Sequence, residues 1–285
     1  MRHPILIPLC LAGVFAISAC QKPGGDTVSR TMKDLNVIDE SNLSNIMLSV
    51  ADPAQAVLYF RKASKDNPDR IDLQRGLAKS LIRAKRPAEA VTAWEQVLKH
   101  EDNTNEDRVE LAEALIRSGD WGKAKAALNR VPPTHESYKR YRLEAMVADS
   151  NKEWKKADSF YETASGMTTN PGNVLNNWGY SKLTRGDFKE AERLFTEALG
   201  YDKTLFTAKN NLVLARGAQR NYTLPVIPMS QTERAQLLHS LALTAIKQGD
   251  VTTGKGLLKD ATDTHPQHFE AAVRSLNALE NNVSN

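Results

Sequence analysis

The chain has 285 residues, 41% of them hydrophobic and 25% charged, a balance too polar for a protein of many membrane spans. Its 38 Lys+Arg stand against 34 Asp+Glu, a net charge of +4, which becomes +3 once Arg2 is subtracted with the leader described below. That is no polybasic surface, so a general nucleic-acid binder is not expected, and two cysteines cannot build a disulfide scaffold.

The first segment reads as an address. Met1-Arg2-His3-Pro4 carries one positive charge, and the apolar stretch from Ile5 to Ile17 is shorter than the ~20 residues a bilayer-spanning helix needs. A basic start, a brief apolar core and small residues make the secretory signal pattern. Ile17-Ser18-Ala19-Cys20 resembles the bacterial lipobox. In that reading residues 1–19 are removed, Cys20 becomes the acylated N-terminus, and the loss of Cys10 leaves no free thiol for disulfide or redox chemistry. The plainer reading is a signal peptide cut after Ala19 with Cys20 a bystander. Gln21 follows the cysteine; in lipoproteins an Asp there favours inner-membrane retention, so the resemblance implies the outer membrane, facing the periplasm. Residues 20–36 contain Pro23-Gly24-Gly25 and no periodicity, which predicts a flexible tether with a reach of roughly 20 Å.

From about Asn36 onward the sequence repeats. Ala56, Ala90, Ala124, Ala157 and Ala191 are separated by 34, 34, 33 and 34 residues. Four residues after each stand Phe60, Trp94, Leu128, Tyr161 and Phe195, and three further on Ala63, Val97, Val131, Ala164 and Ala198. Trp121, Trp154, Phe188 and Tyr222 form another ladder at 33, 34 and 34. Gly119-Asp120, Gly186-Asp187 and Gly249-Asp250 mark tight turns where glycine accepts a positive φ. Leu73, Leu77 and Leu81, or Leu111 and Leu115, have the 3–4 spacing of amphipathic helices.

The period and its contents resemble the tetratricopeptide repeat, a pair of antiparallel helices with small residues at close crossings and a large one filling the gap between them. The best copy runs from Leu175-Asn176-Asn177-Trp178-Gly179-Tyr180 through Phe188, Ala191, Phe195 and Ala198. Pro68 and Pro266 stand where that family ends a second helix. The resemblance implies an all-α right-handed superhelix of about seven helix pairs, with the solenoid over 37–222 and a further repeat and capping helix over 230–285. Apart from them, 223–229 departs from the pattern. Leu205 to Gln219 fits a first helix, but its second helix is replaced by Thr223-Leu224-Pro225-Val226-Ile227-Pro228-Met229, and a proline in a helix interior costs about 3 kcal/mol. An extended connector is predicted there, with Ser230 as the next N-cap and Glu233 as its capping-box partner. Helices are then expected over about 231–248, 251–264 and 267–279.

Signatures of catalysis are weak. Gly254-Lys255-Gly256 lacks the length and the Ser/Thr of a phosphate-binding loop, and packing at a small-residue position explains Gly254. His265 and His268 have no third ligand nearby, and no G-x-S-x-G occurs. No enzyme activity, metal, cofactor or small-molecule substrate is therefore expected, and the aromatic ladders are read as core filling, not as a stacking platform.

Function should lie on the concave face. Transferring the family's groove positions gives Arg75 and Lys79; Glu110, Glu113 and Arg117; Arg142 and Met146; Asn176, Asn177 and Tyr180; and Asn210, Asn211 and Leu214. The two asparagine pairs stand 34 apart, so they are expected one above the other, where carboxamides suit the backbone of an extended peptide. Solvation of these asparagines is the plain alternative. The family's carboxylate clamp needs an Asn where this chain has Lys79, Tyr180 and Leu214, so capture of a free C-terminus is not expected.

A lipobox before such repeats, Lys209-Asn210-Asn211-Leu212-Val213-Leu214-Ala215, the proline break and Leu237-Leu238-His239-Ser240-Leu241-Ala242 together resemble the TadD-type lipoproteins of tight-adherence (Flp) pilus systems. The resemblance implies an assembly factor at the inner leaflet of the outer membrane, with a secretin or another pilus-assembly component as partner. Two other readings stay open: a general outer-membrane or cell-wall assembly adaptor, and a periplasmic ligand-binding or hydrolytic protein with a polar pocket near 223–229.

Overall fold

The computed structural model describes residues 43–283, and their side chains as far as Glu280. The leader, Cys20 and the tether lie outside these residues. Every regular element within them is helical: α1 (43–49), α2 (Pro53–Asp66), α3 (Ile71–Arg83), α4 (Pro87–Val97), α5 (Asn105–Arg117), α6 (Trp121–Asn129), α7 (Tyr138–Ser150), α8 (Trp154–Gly166), α9 (Gly172–Thr184), α10 (Phe188–Tyr201), α11 (Phe206–Ala218), α12 (Gln231–Lys247), α13 (Val251–Thr264) and α14 (Glu270–Val283). Among the described residues no helix is long and apolar enough to cross a membrane.

Odd-numbered helices from α1 to α11, then α12, are the first members of helix pairs. Consecutive helices pack on one another from α2 to α14, and the first helices α5, α7, α9 and α11 also touch in succession. The first three ladders in the sequence are the contacts that set this spacing. Ala56, Ala90, Ala124, Ala157 and Ala191 are fully buried, and so, within a few per cent, are Phe60, Trp94, Leu128, Tyr161 and Phe195. At Phe60 and Phe195 the large side chain reaches a neighbouring first helix where that helix has no Cβ. A Cβ on Gly179 would sit 2.7 Å from the Phe195 ring, and one on Gly76 would collide with Phe60. Gly254 is likewise a packing glycine, since its Cβ would run into Ile246 and lie 3.1 Å from the Ala242 carbonyl oxygen.

The turn joining first to second helix has one construction in six pairs. A residue in the left-handed region is followed by an N–H that donates back to a carbonyl five residues earlier, the C-terminal motif that satisfies otherwise orphaned helix carbonyls. Gly119, Gly186 and Gly249 take φ of 85°, 86° and 83°, as their sequence positions predict. Lys85, Lys152 and Arg220 do the same at 57°, 60° and 61°. The closing bonds, such as Arg86 N–H to Leu81 O and Asn221 N–H to Arg216 O, are 2.9 and 3.0 Å. A lysine or arginine gives no sequence signal of this conformation.

Arg220 makes that turn although no second helix follows it. Residues 219–230 contain no helix, so the proline break interrupts the sixth pair. The connector still seals the gap: Leu224 and Met229 pack beside Val213, Leu237 and Leu241, and Ile227 packs against the α10–α11 cluster. Polar links span the same gap. Lys209, 3% exposed, meets Glu233 at 2.9 Å, while Gln248 accepts from the Tyr222 hydroxyl and donates to Gly217 O. Ser230 and Glu233 form the expected capping box. The last helix begins at Glu270, later than the sequence suggests, because Phe269 stacks on His265 at 5.0 Å and its carbonyl takes the first helical bonds.

Glu233 therefore has two duties, capping α12 and neutralising a buried ammonium. Replacing it with Ala should lower the unfolding free energy by roughly 3 kcal/mol, because Lys209 is left buried and unpaired. In a chain that also carries Lys209→Met the same change should cost roughly 1 kcal/mol, the worth of the cap. Urea unfolding followed by circular dichroism measures both.

Candidate functional site

The first helices line the concave face, and a pocket of about 560 Å³ crosses it from α6 to α11. Its walls are Met146, Asp149 and Ser150 of α7, Asn176, Asn177, Tyr180 and Ser181 of α9, and Phe206, Thr207, Asn210 and Asn211 of α11. Trp121 and Trp154, the first residues of α6 and α8, close one side. Trp121 is 37% and Tyr180 53% exposed. These tryptophans correct the reading of every aromatic ladder as core. A side chain at the start of a second helix lies beside the turn, where it reaches the groove.

The asparagine pairs do meet, diagonally. Asn211 Nδ2 donates to Asn176 Oδ1 at 3.0 Å, and Asn210 Oδ1 accepts from the Ser240 hydroxyl at 2.7 Å. Asn177 points its Nδ2 at Met146 Sδ, 3.7 Å away. Asn176 Nδ2, Asn177 Oδ1, Asn210 Nδ2 and Asn211 Oδ1 keep free hydrogen-bonding capacity toward the pocket among the described residues.

The charged groove candidates lie elsewhere. Arg75 clasps Asp107 through two bonds of 2.7 Å and also donates to Asp102 O, joining α3 to α5. Lys79 is exposed, one repeat or more from the pocket. Glu113 sits in a cage of cations, 2.8 Å from both Lys139 and Arg117 and 3.6 Å from Arg142, and Lys139 also binds Glu110 at 2.7 Å. The α5–α7 stretch of the concave face thus spends its charges on itself. No cation lines the pocket.

Asp149 was not among the expected residues. Its Oδ1 accepts from the Ser181 hydroxyl at 2.7 Å and its Oδ2 from the Tyr161 hydroxyl at 2.8 Å. Burial raises its carboxyl above the ordinary aspartate value, against the lowering effect of those two hydroxyls and of Arg185. The corresponding residues of the other pairs with this turn are Ile82, Ile116, Leu183, Gly217 and Ile246. An acid in a register otherwise apolar is the signal that comparing each position across repeats would have caught.

The hollow beside the connector, about 680 Å³, is walled mainly by apolar groups such as Leu224, Ile227, Met229 and Leu257, with Arg234 and Asp260 its charged members. It does not gather the convergent titratable groups that a hydrolytic site needs. His265 and His268 do not converge either: the first stacks on Phe269 and the second binds Glu270 at 2.9 Å. Among the described residues no three His, Cys, Asp or Glu side chains are grouped to hold a metal.

Residues 48–107 match the tetratricopeptide repeat family model. Solved structures of the same architecture include a chain of the APC/C heterotetramer Cut9–Hcn1, with TM-score 0.60 and 13% identity over 83% of this chain and 48% of that one. A tetratricopeptide repeat protein from Parabacteroides merdae gives 0.55 and 12% over 90% of this chain and all of its own length. PilW, described as a type IV pilus biogenesis factor, gives 0.55 and 14% over 82% and 98%. This chain spans about half the length of the Cut9–Hcn1 chain it matches. No curated protein matches it in sequence. The molecule has the tetratricopeptide-repeat fold, a class typically built for protein interaction.

Glu113 yields a pH prediction. Burial alone would raise its carboxyl, but Lys139, Arg117 and Arg142 outweigh that and hold it down at about 2. Stability from the depressed carboxyl is complete above the unfolded value near 4.5 and is lost as pH falls from there toward 2, on the order of 3 kcal/mol in total. Urea midpoints measured from pH 6 to pH 2.5 should fall more steeply for the natural chain than for Glu113→Gln.

Proposed function

We propose that this protein is an outer-membrane lipoprotein, anchored through Cys20 and facing the periplasm, whose concave groove captures a protein segment during assembly or localisation of a pilus or secretion secretin. In this reading it acts as the TadD-type lipoproteins of tight-adherence pilus systems, which its sequence resembles, are expected to act. The observation that carries the capture step is the pocket across α7, α9 and α11, where carboxamides with spare donors and acceptors line up beside exposed aromatic rings. Carboxamides match the alternating donors and acceptors of an extended backbone, and Tyr180, Trp121 and Trp154 offer rigid area for a side chain. The structural likeness to PilW is one of fold and is compatible with a pilus role. The lipobox and the interrupted repeat supply the specific resemblance. Two or three acyl chains on Cys20 hold a protein stably at a membrane, whereas one holds it marginally.

The test is co-purification from detergent-solubilised outer membrane. The natural chain should carry the secretin subunit with it. Replacing Asn176, Asn177, Asn210 and Asn211 together with Ala should weaken that capture roughly tenfold or more, since several hydrogen bonds of about 1 kcal/mol are lost. Cys20→Ser should abolish labelling by radioactive palmitate and release the folded protein from the membrane fraction. Undiminished partner recovery from the asparagine variant rejects the groove, and membrane retention of the serine variant rejects the anchor.

A further inference from the structure

Asp149 stands out in the solenoid because it is a half-buried carboxylate with no ion-pair partner within 4 Å among the described residues, in a register that is Ile82, Ile116, Leu183, Gly217 and Ile246 in the other pairs with this turn. Nor is it a stray charge. Tyr161 is the sole hydroxyl-bearing member of its ladder, whose other members are Phe60, Trp94, Leu128 and Phe195, and that hydroxyl is spent on Asp149. Ser181 fixes the other oxygen from α9. Two neighbours therefore orient the carboxylate, and each oxygen keeps a lone pair toward the pocket. Holding a charge partly out of water without a counter-charge is costly unless something completes it.

Nothing in the surroundings completes it. Arg185, the nearest influence of opposite sign, is engaged by Asp158 and lies over the Trp154 ring at 5.6 Å from its centroid. Arg142 is held at Glu113. The walls of the pocket contain a carboxylate, no cation and several aromatic rings, and aromatic faces attract cations through their quadrupoles. Arg185 over Trp154 shows that contact inside this molecule.

From this charge pattern we infer that the groove selects a segment carrying a lysine or arginine, whose cationic head seats against Asp149 among Trp121, Trp154 and Tyr180. The inference rests on the groove reading above and adds the specificity: a basic residue within an extended stretch, the opposite sign to the acidic C-terminus taken by a carboxylate clamp. Asp149 acts as a specificity determinant, and the asparagines bind the backbone on either side.

The test is selection of a displayed library of random twelve-residue peptides on the full mature chain. The enriched peptides are then synthesised and their affinities measured by titration calorimetry, with thermal unfolding recorded for every variant. Enriched peptides should share a basic position. Replacing that residue by Gln should weaken binding about tenfold to the natural chain, in line with a desolvated cation–π and charge contact, and less than threefold to Asp149→Asn. An Asp149→Glu variant, which keeps the charge, should retain the preference. Asparagine-dependent peptides with no shared basic residue, or an equal loss on Asp149→Asn, overturn the inference while leaving the groove in place. Failure to enrich any peptide whose binding depends on Asn176 and Asn211 overturns both.

Discussion

The close approach of paired helices is the constraint on which everything else depends. A large side chain on each second helix is seated against a first helix that presents alanine or glycine, as Phe195 does against Gly179 and Phe60 against Gly76. Such a contact fixes distance and angle at once, since adding one carbon forces atoms into overlap in an interior already close-packed. Repeated every 34 residues or so, it stacks the first helices side by side and turns their outward faces into one continuous concave surface. The core is accordingly a string of clusters along the axis instead of a single interior, as expected where each pair touches only its neighbours.

Much of this was legible because the constraint is chemical and periodic. Alanine at Ala56, Ala90, Ala124, Ala157 and Ala191, with a bulky residue four positions later, can be read without coordinates. So can the glycine turns, and the proline break with the Ser230 cap beyond it. What escaped is what periodicity does not encode. Lys85, Lys152 and Arg220 adopt the left-handed turn under pressure from the packing on both sides, and their side chains give no hint of it. Phe269 delays the start of α14 through its stacking on His265. The asparagines and Tyr180 taken from the register all line the one hollow, but a position in the register says nothing of whether a neighbour has already taken its charge. Asp107 takes Arg75, and Glu113 holds Arg142.

Departures from the repeat carry the individuality of the molecule. The missing second helix after α11 is replaced by a connector that retains the apolar contacts of a helix in Leu224, Ile227 and Met229 and adds the Lys209–Glu233 pair. The solenoid thereby continues into α12, which packs directly on α11. Asp149 is the second departure, an acid where other pairs keep apolar groups, held by a tyrosine where other pairs keep rings or leucine. Between these two, α7, α9 and α11 present amides, aromatic rings and one charge in a single hollow.

The central claim is that a protein segment occupies that hollow. Placing a photo-crosslinking phenylalanine analogue at Tyr180 inside the groove, or at fully exposed Val226 on the connector, and irradiating living cells tests it directly. A discrete adduct to one envelope protein from position 180, with none from 226, is the predicted result. An adduct from 226 and none from 180 would contradict it.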